Sequence, residues 1–134
     1  MAKQIFVNLP VKDLNKSVEF FTKLGYTFNP QFTDENATCM IVGENIFVML
    51  LLEKFFNSFT NKPTSDAFRS AEVIISLSAE NKAEVDSLIE KAVAAGGRKT
   101  KLSDDGWMYQ GGFEDLDGHL WEIAYMDLSQ FPQQ

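Results

Sequence analysis

The chain has 134 residues, of which 45% are hydrophobic, and its formal net charge at pH 7 is -7. This length corresponds to one domain with room for a real core. The excess of acids argues against nucleic acid as a partner, because phosphate binding needs clustered Lys and Arg, and no apolar run is long enough to span a membrane.

The first residues and the single cysteine favour a cytoplasmic location. Residues 1–4 contain no apolar signal segment and lead directly into a strand-like run. Cys39 is the only cysteine, so it cannot form an internal disulfide. The only histidine is far away in the sequence, so we expect Cys39 to be a small buried residue and not a nucleophile.

The first half of the chain predicts a strand, a helix and three further strands. Residues 5–11 form a strand with an apolar face at its odd positions, while the even positions carry Phe6, Asn8 and Pro10. Asp13 is placed to cap a helix that packs on the odd face. Three strand-like runs separated by turn residues follow, at residues 26–33, 37–42 and 46–52.

Residues 54–70 are predicted to be a connector, because they lose the periodicity of strands and helices. Four phenylalanines make it more than a flexible linker, namely Phe55, Phe56, Phe59 and Phe68. These rings either pack the connector onto the core or cover a cleft, and we favour packing.

The second half repeats the order of the first. Residues 71–77 predict a strand with Glu72 on the face away from its helix, and Asn81 with Glu84 predicts the start of that helix. Three more strands follow, at residues 98–102, 107–114 and 119–126. The repeat predicts an α+β fold of two βαβββ modules in one domain. Module one covers about residues 3–53 and module two about 71–127.

The last hairpin places Glu122 in the middle of a strand. Asp117 and Gly118 predict a two-residue turn, because such a turn needs positive backbone angles. A carboxylate in the middle of this apolar strand points to solvent or lies in a cavity, where it must be paired or used.

The repeat allows the two modules to be aligned. Setting Asn45 against Gly118 places Met49 at the position of Glu122. Setting the first strands so that their helix-packing faces agree places Phe6 at the position of Glu72.

Two such modules, with the segment DLDGHLWE at residues 115–122, resemble the vicinal oxygen chelate superfamily of glyoxalases, bleomycin resistance proteins and extradiol dioxygenases. The resemblance also rests on VKDLNKSVEFF at residues 11–21, LGY at 24–26 and AAGG at 94–97. It implies paired modules whose sheets curl around a cleft, and commonly a homodimer.

In the enzymes of this superfamily, the resemblance implies, a divalent metal is held from the first and last strands of each module. The four positions fall on Phe6, Met49, Glu72 and Glu122. Glu122 is the residue type that the enzymes use and Glu72 is able to ligate, but a phenyl ring cannot bind a metal. We expect no cofactor or metal, with Glu122 and Glu72 as its ligands if one binds. His119 lies an odd number of residues from Glu122, so we expect it on the other face, flanking the turn.

The remaining inward face has apolar walls and a few polar groups, which is typical of a small-molecule pocket. It consists of Phe6, Asn8, Phe47, Met49, Leu51, Glu72, Ile74, Ser76, Leu120, Glu122 and Ala124. Trp107 and Tyr109 lie beside two glycines, where they stack on a ligand or belong to ordinary core at a bulge. The candidate ligand-binding residues are Phe6, Asn8, Phe47, Met49, Glu72, Trp107, Tyr109 and Glu122.

The first hypothesis for function is a homodimer that binds a small aromatic or cationic molecule in a cleft without a complete metal site. The alternative is a metal-dependent glyoxalase-type lyase or isomerase, or an extradiol dioxygenase, with Glu122 as a catalytic residue. A metal-free enzyme would use Glu72 and Glu122 as an acid–base pair, unless they pair with Lys or Arg. A third hypothesis, an interaction module without a ligand, predicts a face closed by side chains. The sequence leaves open whether the protein is an enzyme.

Overall fold

The chain divides into two compact units, Met1–Asp66 and Ala67–Gln134, and the computed structural model describes residues 1–132. Within these residues each unit builds a four-stranded sheet from a strand, a helix and three strands. This confirms the predicted α+β fold of two βαβββ modules. The boundary between the units lies inside the predicted connector. In residues 1–132 no helix combines the length and the apolar character needed to cross a membrane.

The first unit has a mixed sheet in the order β1-β4-β3-β2, in which only β1 and β4 run parallel. Its elements are β1 (Ile5–Val11), α1 (Leu14–Lys23), β2 (Thr27–Asn29), β3 (Ala37–Gly43), β4 (Ile46–Leu52) and α2 (Glu53–Asn57). Strand β2 is shorter than predicted, because Pro30 begins a short 3-10 helix. The Asn29 side chain caps that helix by accepting a hydrogen bond from the Gln31 N–H.

Helix α1 begins and ends where the sequence predicts. Asp13 Oδ1 accepts a hydrogen bond from the Lys16 N–H at 3.0 Å, and Gly25 follows the helix with a φ of 103°. The core of the unit combines one face of α1 with one face of the sheet. It contains Val11, Phe20, Phe21, Met40, Val48 and Leu50, all nearly fully buried. We call this side of each sheet the helix face, and the other side the opposite face.

The second unit repeats this arrangement in the strand order β5-β8-β7-β6, with β5 parallel to β8. Its elements are β5 (Ile74–Ser78), α3 (Lys82–Ala94), β6 (Arg98–Asp104), β7 (Met108–Glu114) and β8 (Leu120–Met126). Strand β5 begins at Ile74 and not at residue 71, so Glu72 precedes it. The predicted helix start is confirmed: Asn81 Oδ1 accepts from the Glu84 N–H and Glu84 Oε2 from the Glu80 N–H, both at 2.8 Å.

Helix α3 lies directly on β7, which defines the helix face of the second sheet. A Cβ added at Gly111 would come within 2.7 Å of Ile89 Cγ1, so the glycine allows the helix to approach. Phe113 and Trp121 stack on this face with parallel rings, 6.2 Å between centroids, and both are 1% exposed.

The turn before β8 differs from the predicted two-residue turn. Of its residues only Gly118 has a positive φ, and the Gly118 N–H donates to the Asp115 carbonyl at 3.1 Å. The buried Asp115 carboxylate holds the turn, accepting from the N–H groups of Asp117 and His119 at 2.9 and 3.0 Å. Its other oxygen accepts from Trp121 Nε1 at 2.9 Å. A side chain that accepts these N–H groups makes a longer turn favourable, so Asp117 needs no positive angle.

The aromatic residues of the connector pack locally. Phe55 of α2 and Phe59 meet edge to face with 5.0 Å between ring centroids. Phe68 lies against the turn of the second unit, where a Cβ at Gly118 would be 2.8 Å from its ring. Phe59 and Phe68 remain largely exposed.

Candidate functional site

In the first unit, four predicted ligand-binding residues share the opposite face of the sheet. Phe6 is in register with Phe47, and Asn8 with Met49, on the parallel pair β1 and β4. The neighbouring residues along each strand point to the helix face. These four side chains therefore point to the opposite face, because side chains alternate along a strand. The structure therefore brings these four residues together.

Phe6 and Phe47 form a flat aromatic surface. Their rings stack with 4.9 Å between centroids and an interplanar angle of 17°. Phe6 is 45% exposed, which is unusual for a ring of this size within a strand. Phe47 is half-buried, so the exposed ring of Phe6 is the main π face that the pair offers to an aromatic or cationic ligand.

The polar chemistry of this face is sparse. Asn8 Nδ2 donates to the Phe6 carbonyl at 3.3 Å, and because Asn8 is exposed its amide oxygen can serve as an acceptor for a ligand. Cys39 is in register with Met49 and is buried, as predicted, and desolvation raises the pKa of its thiol. A protonated buried thiol is a poor nucleophile.

In the second unit, Glu122 lies on the opposite face and is paired. Ser76 Oγ donates to Glu122 Oε1 at 2.8 Å, and Lys101 Nζ lies 2.6 Å from Glu122 Oε2. The hydrogen bond from Lys101 is the largest cause of a lowered Glu122 pKa; it outweighs desolvation, which raises the pKa, and Ser76 lowers it further. Glu122 is therefore a carboxylate at neutral pH, held by an ammonium group.

A second carboxylate on the same face is neutralised in the same way. Arg98 of β6 forks onto Glu114 of β7, with Nη2 2.8 Å from Oε1 and Nε 3.2 Å from Oε2. Strand β6 thus provides a basic partner for each of these two acids. The expectation that a glutamate here pairs with Lys or Arg is met by Glu122.

The pairing of Glu122 has a consequence for acid stability. Its folded-state pKa lies below the ordinary value of 4.5, so the pair stabilises the fold above about pH 4.5, and this contribution disappears as the pH falls through the lowered pKa. We expect urea denaturation to show that wild type loses more stability than Glu122→Gln between roughly pH 5 and 3. Parallel profiles of the two proteins would contradict the pairing.

The strand registers correct the alignment that places Phe6 at the position of Glu72. Phe47, two residues before Met49, is in register with Phe6, and Leu120, two residues before Glu122, is in register with Ile74. Ile74 is therefore the counterpart of Phe6. Glu72 lies before the strand and is exposed, outside the sheet. Sequence parity could not reveal this error, because a shift of two residues keeps every side chain on its face.

Asn45 and Gly118 occupy equivalent positions in the two modules, as predicted. Both residues have a positive φ, 62° for Asn45 and 84° for Gly118, directly before the last strand of their module. This supports the placement of Met49 at the position of Glu122.

Trp107 and Tyr109 do not share the face of Glu122. Tyr109 lies on the helix face, where its hydroxyl donates to Asp86 Oδ1 of α3 at 2.5 Å. Trp107 precedes β7 and packs edge to face against Phe131, 4.7 Å between centroids. Each ring has a partner within the second unit, but neither contact lies in the core, because the Tyr109 hydrogen bond is exposed and Phe131 is 47% exposed.

Asp115, which sequence reasoning treats only as a turn residue, is the most constrained acid of the unit. Burial raises the pKa of Asp115, against the opposing effects of His119 and of its three N–H donors. His119 flanks the turn beside this carboxylate, as expected. The signal in the sequence is the spacing of Asp115 and Trp121 across a turn, an acid placed to accept from an indole.

A groove at the start of α1 contains none of the predicted site residues. It is lined by Lys12, Asp13, Leu14, Asn15, Asp34, Glu35 and Leu52. Two of its three acids already have local roles, since Asp13 caps α1 and Asp34 accepts from two backbone N–H groups of its own turn. We assign no function to it.

The donor set does not suit a divalent metal. The positions that the resemblance assigns to a metal, once the registers have replaced Glu72 by Ile74, carry Phe6, Met49, Ile74 and Glu122, and only the last is a good ligand. In the part of the chain that the structure describes, no three His, Cys, Asp or Glu side chains come together in a metal-binding group. Catalytic metals commonly need three protein ligands.

The two four-stranded sheets and their helices define the class of protein. It consists of two βαβββ modules with the glyoxalase/bleomycin resistance/dioxygenase fold. A family model, bleomycin resistance protein-like N-terminal, matches residues 3–43. No curated protein matches the chain. This partial match and the shared fold agree with the resemblance to the vicinal oxygen chelate superfamily that the sequence shows.

Solved structures extend this likeness over the whole chain. Hypothetical protein SA1046 from S. aureus is 29% identical, with a TM-score of 0.80 over 93% of this chain and 94% of that one. A glyoxalase-related enzyme from Fulvimarina pelagi is 23% identical, with a TM-score of 0.78 over 92% and 88%. TnmS3, an antibiotic binding protein from Streptomyces sp. CB03234, is 14% identical, with a TM-score of 0.67 over 94% and 97%.

Proposed function

We propose that this protein binds a small organic molecule with an aromatic or cationic group, and does so without a metal. The observation that carries the proposal is the stacking of Phe6, which is 45% exposed, on the half-buried Phe47. A large exposed ring is costly to leave in water, whereas a flat ligand would cover it. TnmS3, an antibiotic binding protein with the same fold, supports the proposal by analogy.

The preference for an aromatic or cationic ligand follows from the side chains on the opposite face of each sheet. The first unit offers aromatic rings, Met49 and one amide, so it would recognise a π system or a cation above the rings. Glu122 adds little attraction for a free cation, because Lys101 already neutralises it. We therefore place recognition mainly at Phe6 and Phe47.

Acid–base catalysis has less support than binding. A general acid needs a pKa near the working pH, whereas the pKa of Glu122 is lowered. Glu72, its proposed partner, lies before β5, and the face of Glu122 offers Ser76 and Lys101 instead.

The binding proposal is tested by NMR titration of the uniformly labelled chain with indole and benzyltrimethylammonium, and with cyclohexanol as a non-aromatic comparison. We expect the two aromatic probes to shift the amides of β1 and β4. Phe6→Leu and Phe47→Leu keep the apolar volume but lose the π face, so each should weaken binding roughly two- to tenfold.

The matched control is Phe32→Leu, which changes a ring in the 3-10 helix of the same unit that is more exposed than Phe6, 57% against 45%. It should leave the affinities unchanged. Equal binding of cyclohexanol, or unchanged affinity in Phe6→Leu and Phe47→Leu, would remove the basis of the proposal.

A second candidate function is a metal-dependent lyase, isomerase or dioxygenase. The residue type at Glu122 favours it, and so does the likeness to the glyoxalase-related enzyme of Fulvimarina pelagi. Tight binding of one divalent metal per wild-type chain, lost in Glu122→Gln, would favour this candidate over the first.

We further propose a homodimer in the cytoplasm. The dimer rests on the resemblance to the superfamily, and the compartment on a composition with one cysteine, which is buried. Light scattering of the purified chain tests the assembly, and a monomer at micromolar concentration would contradict it.

A further inference from the structure

We infer that Lys101 is an internal cation that takes the place of a divalent metal at Glu122. Its ammonium nitrogen lies 2.6 Å from Glu122 Oε2, while Ser76 Oγ occupies the other oxygen, Oε1. Both oxygens through which the superfamily's glutamate would hold a metal are therefore engaged by this chain's own side chains.

The lysine reaches Glu122 by crossing a whole strand. Lys101 on β6 is in register with Gly112 on β7, which is in register with Glu122 on β8. Gly112 has no side chain, and a Cβ added there would lie 3.4 Å from Lys101 Cγ and 2.4 Å from Thr100 Oγ1. The glycine therefore makes room for Thr100, and Lys101 crosses β7 at a position that carries no side chain.

A β-bulge places Lys101 on the correct face. The register between β6 and β7 shifts between Lys99 and Lys101, so Lys99 faces Phe113 and Lys101 faces Gly112. In a ladder without the bulge, Thr100 would pair with Gly112, and Lys101 would pair with Gly111 on the helix face. The bulge and the absence of a side chain at Gly112 together allow Lys101 to bring one positive charge to Glu122.

A resident ammonium resists metal binding in two ways. It takes the coordination position at Oε2, and its charge repels an incoming cation across a short distance. The Lys101 side chain is about half exposed, so its ammonium group can leave Glu122 for solvent without opening the core. Glu114 of β7 lies on the same face, but it is already paired with Arg98. Strand β7 therefore offers no free carboxylate as a second metal ligand beside Glu122.

This inference goes beyond the proposed function and rests on it only for the assumption that the site serves an organic ligand. It assigns Lys101 the role of keeping metal away from Glu122. Its test uses metal alone, while the binding proposal is tested with aromatic probes at Phe6 and Phe47, so either can fail without the other.

The test is titration of the ¹⁵N-labelled chain with Mn²⁺, following paramagnetic broadening of the Ser76 and Glu122 amides relative to that of Glu35, an exposed acid in the other unit. In Lys101→Met, which keeps the length of the stem but not the charge, half-broadening at Ser76 and Glu122 should need about tenfold less Mn²⁺ than in wild type. Lys101→Gln should behave in the same way, and serves if the methionine variant folds poorly.

Two variants give the controls. Lys99→Met removes the same charge from the same strand on the other face, so its broadening at Glu122 should match wild type. Adding Glu122→Gln to Lys101→Met should abolish the gain. Equal broadening in wild type and in Lys101→Met, or an equal gain in Lys99→Met, would overturn the inference.

Discussion

Asp115→Ala should destabilise the second unit by about 3 kcal/mol, because it leaves buried donors without an acceptor. The carboxylate accepts from the Asp117 and His119 N–H groups and from Trp121 Nε1. Trp121 is 1% exposed, so water cannot replace the lost partner of its indole N–H. The measurement is urea denaturation followed by the fluorescence of the tryptophans.

Asp105→Ala is the matched control, since Asp105 is an exposed aspartate in the turn between β6 and β7. It should change stability by less than about 0.5 kcal/mol. Asp115→Asn should fall between the two, because its amide keeps one acceptor oxygen but presents an NH₂ group to the remaining donors. A loss in Asp115→Ala no larger than that of the control would show that the turn holds without the carboxylate.

Gly111→Ala should cost about 1–3 kcal/mol through overpacking between α3 and β7. The new Cβ would lie 2.7 Å from Ile89 Cγ1 and 3.1 Å from Ile89 Cδ1, so the side chain or the whole helix must move. The backbone of Gly111 is not in the left-handed region, so the cost comes from contact and not from φ. The midpoint of thermal or urea unfolding measures it.

A double-mutant cycle with Ile89→Ala separates overpacking from other causes. Ile89→Ala alone leaves a cavity in the core and should cost about 2–4 kcal/mol. In the double variant the added methyl group enters that cavity, so the total should be smaller than the sum of the two single changes. Additive losses would show that Gly111 matters for a reason other than contact with Ile89.

Local signals predicted the elements that depend on local chemistry. Asp13 and Asn81 cap their helices because an Asp or Asn side chain satisfies free N–H groups wherever it stands before a helix. The alternation of residues 5–11 identified the two faces of β1, because side chains of a strand alternate whatever its neighbours are. The repeat of these signals was enough to predict the βαβββ modules, whereas the superfamily was suggested by the resemblance of segments such as residues 115–122.

Part of the candidate site followed from the same alternation. Phe6, Asn8, Phe47 and Met49 were predicted on one face, and the registers of β1 and β4 bring them together. Tyr109 and Trp107 were less accessible to this reasoning, because an aromatic ring next to glycines suits both a ligand surface and a core. Their partners, Asp86 and Phe131, are chosen by the fold and not by local sequence.

By itself, the sequence determined the order of the main elements, the faces of β1 and β4, and the presence of one carboxylate, Glu122, at a position that the resemblance assigns to a metal. Only the tertiary structure decided what that carboxylate contacts. Strand parity predicts Lys101 on the helix face, and the bulge at Thr100 reverses this by inserting one residue into the ladder. The lysine then crosses Gly112 to reach Glu122. Pairing between strands that are distant in the sequence sets such contacts, and no local pattern encodes them.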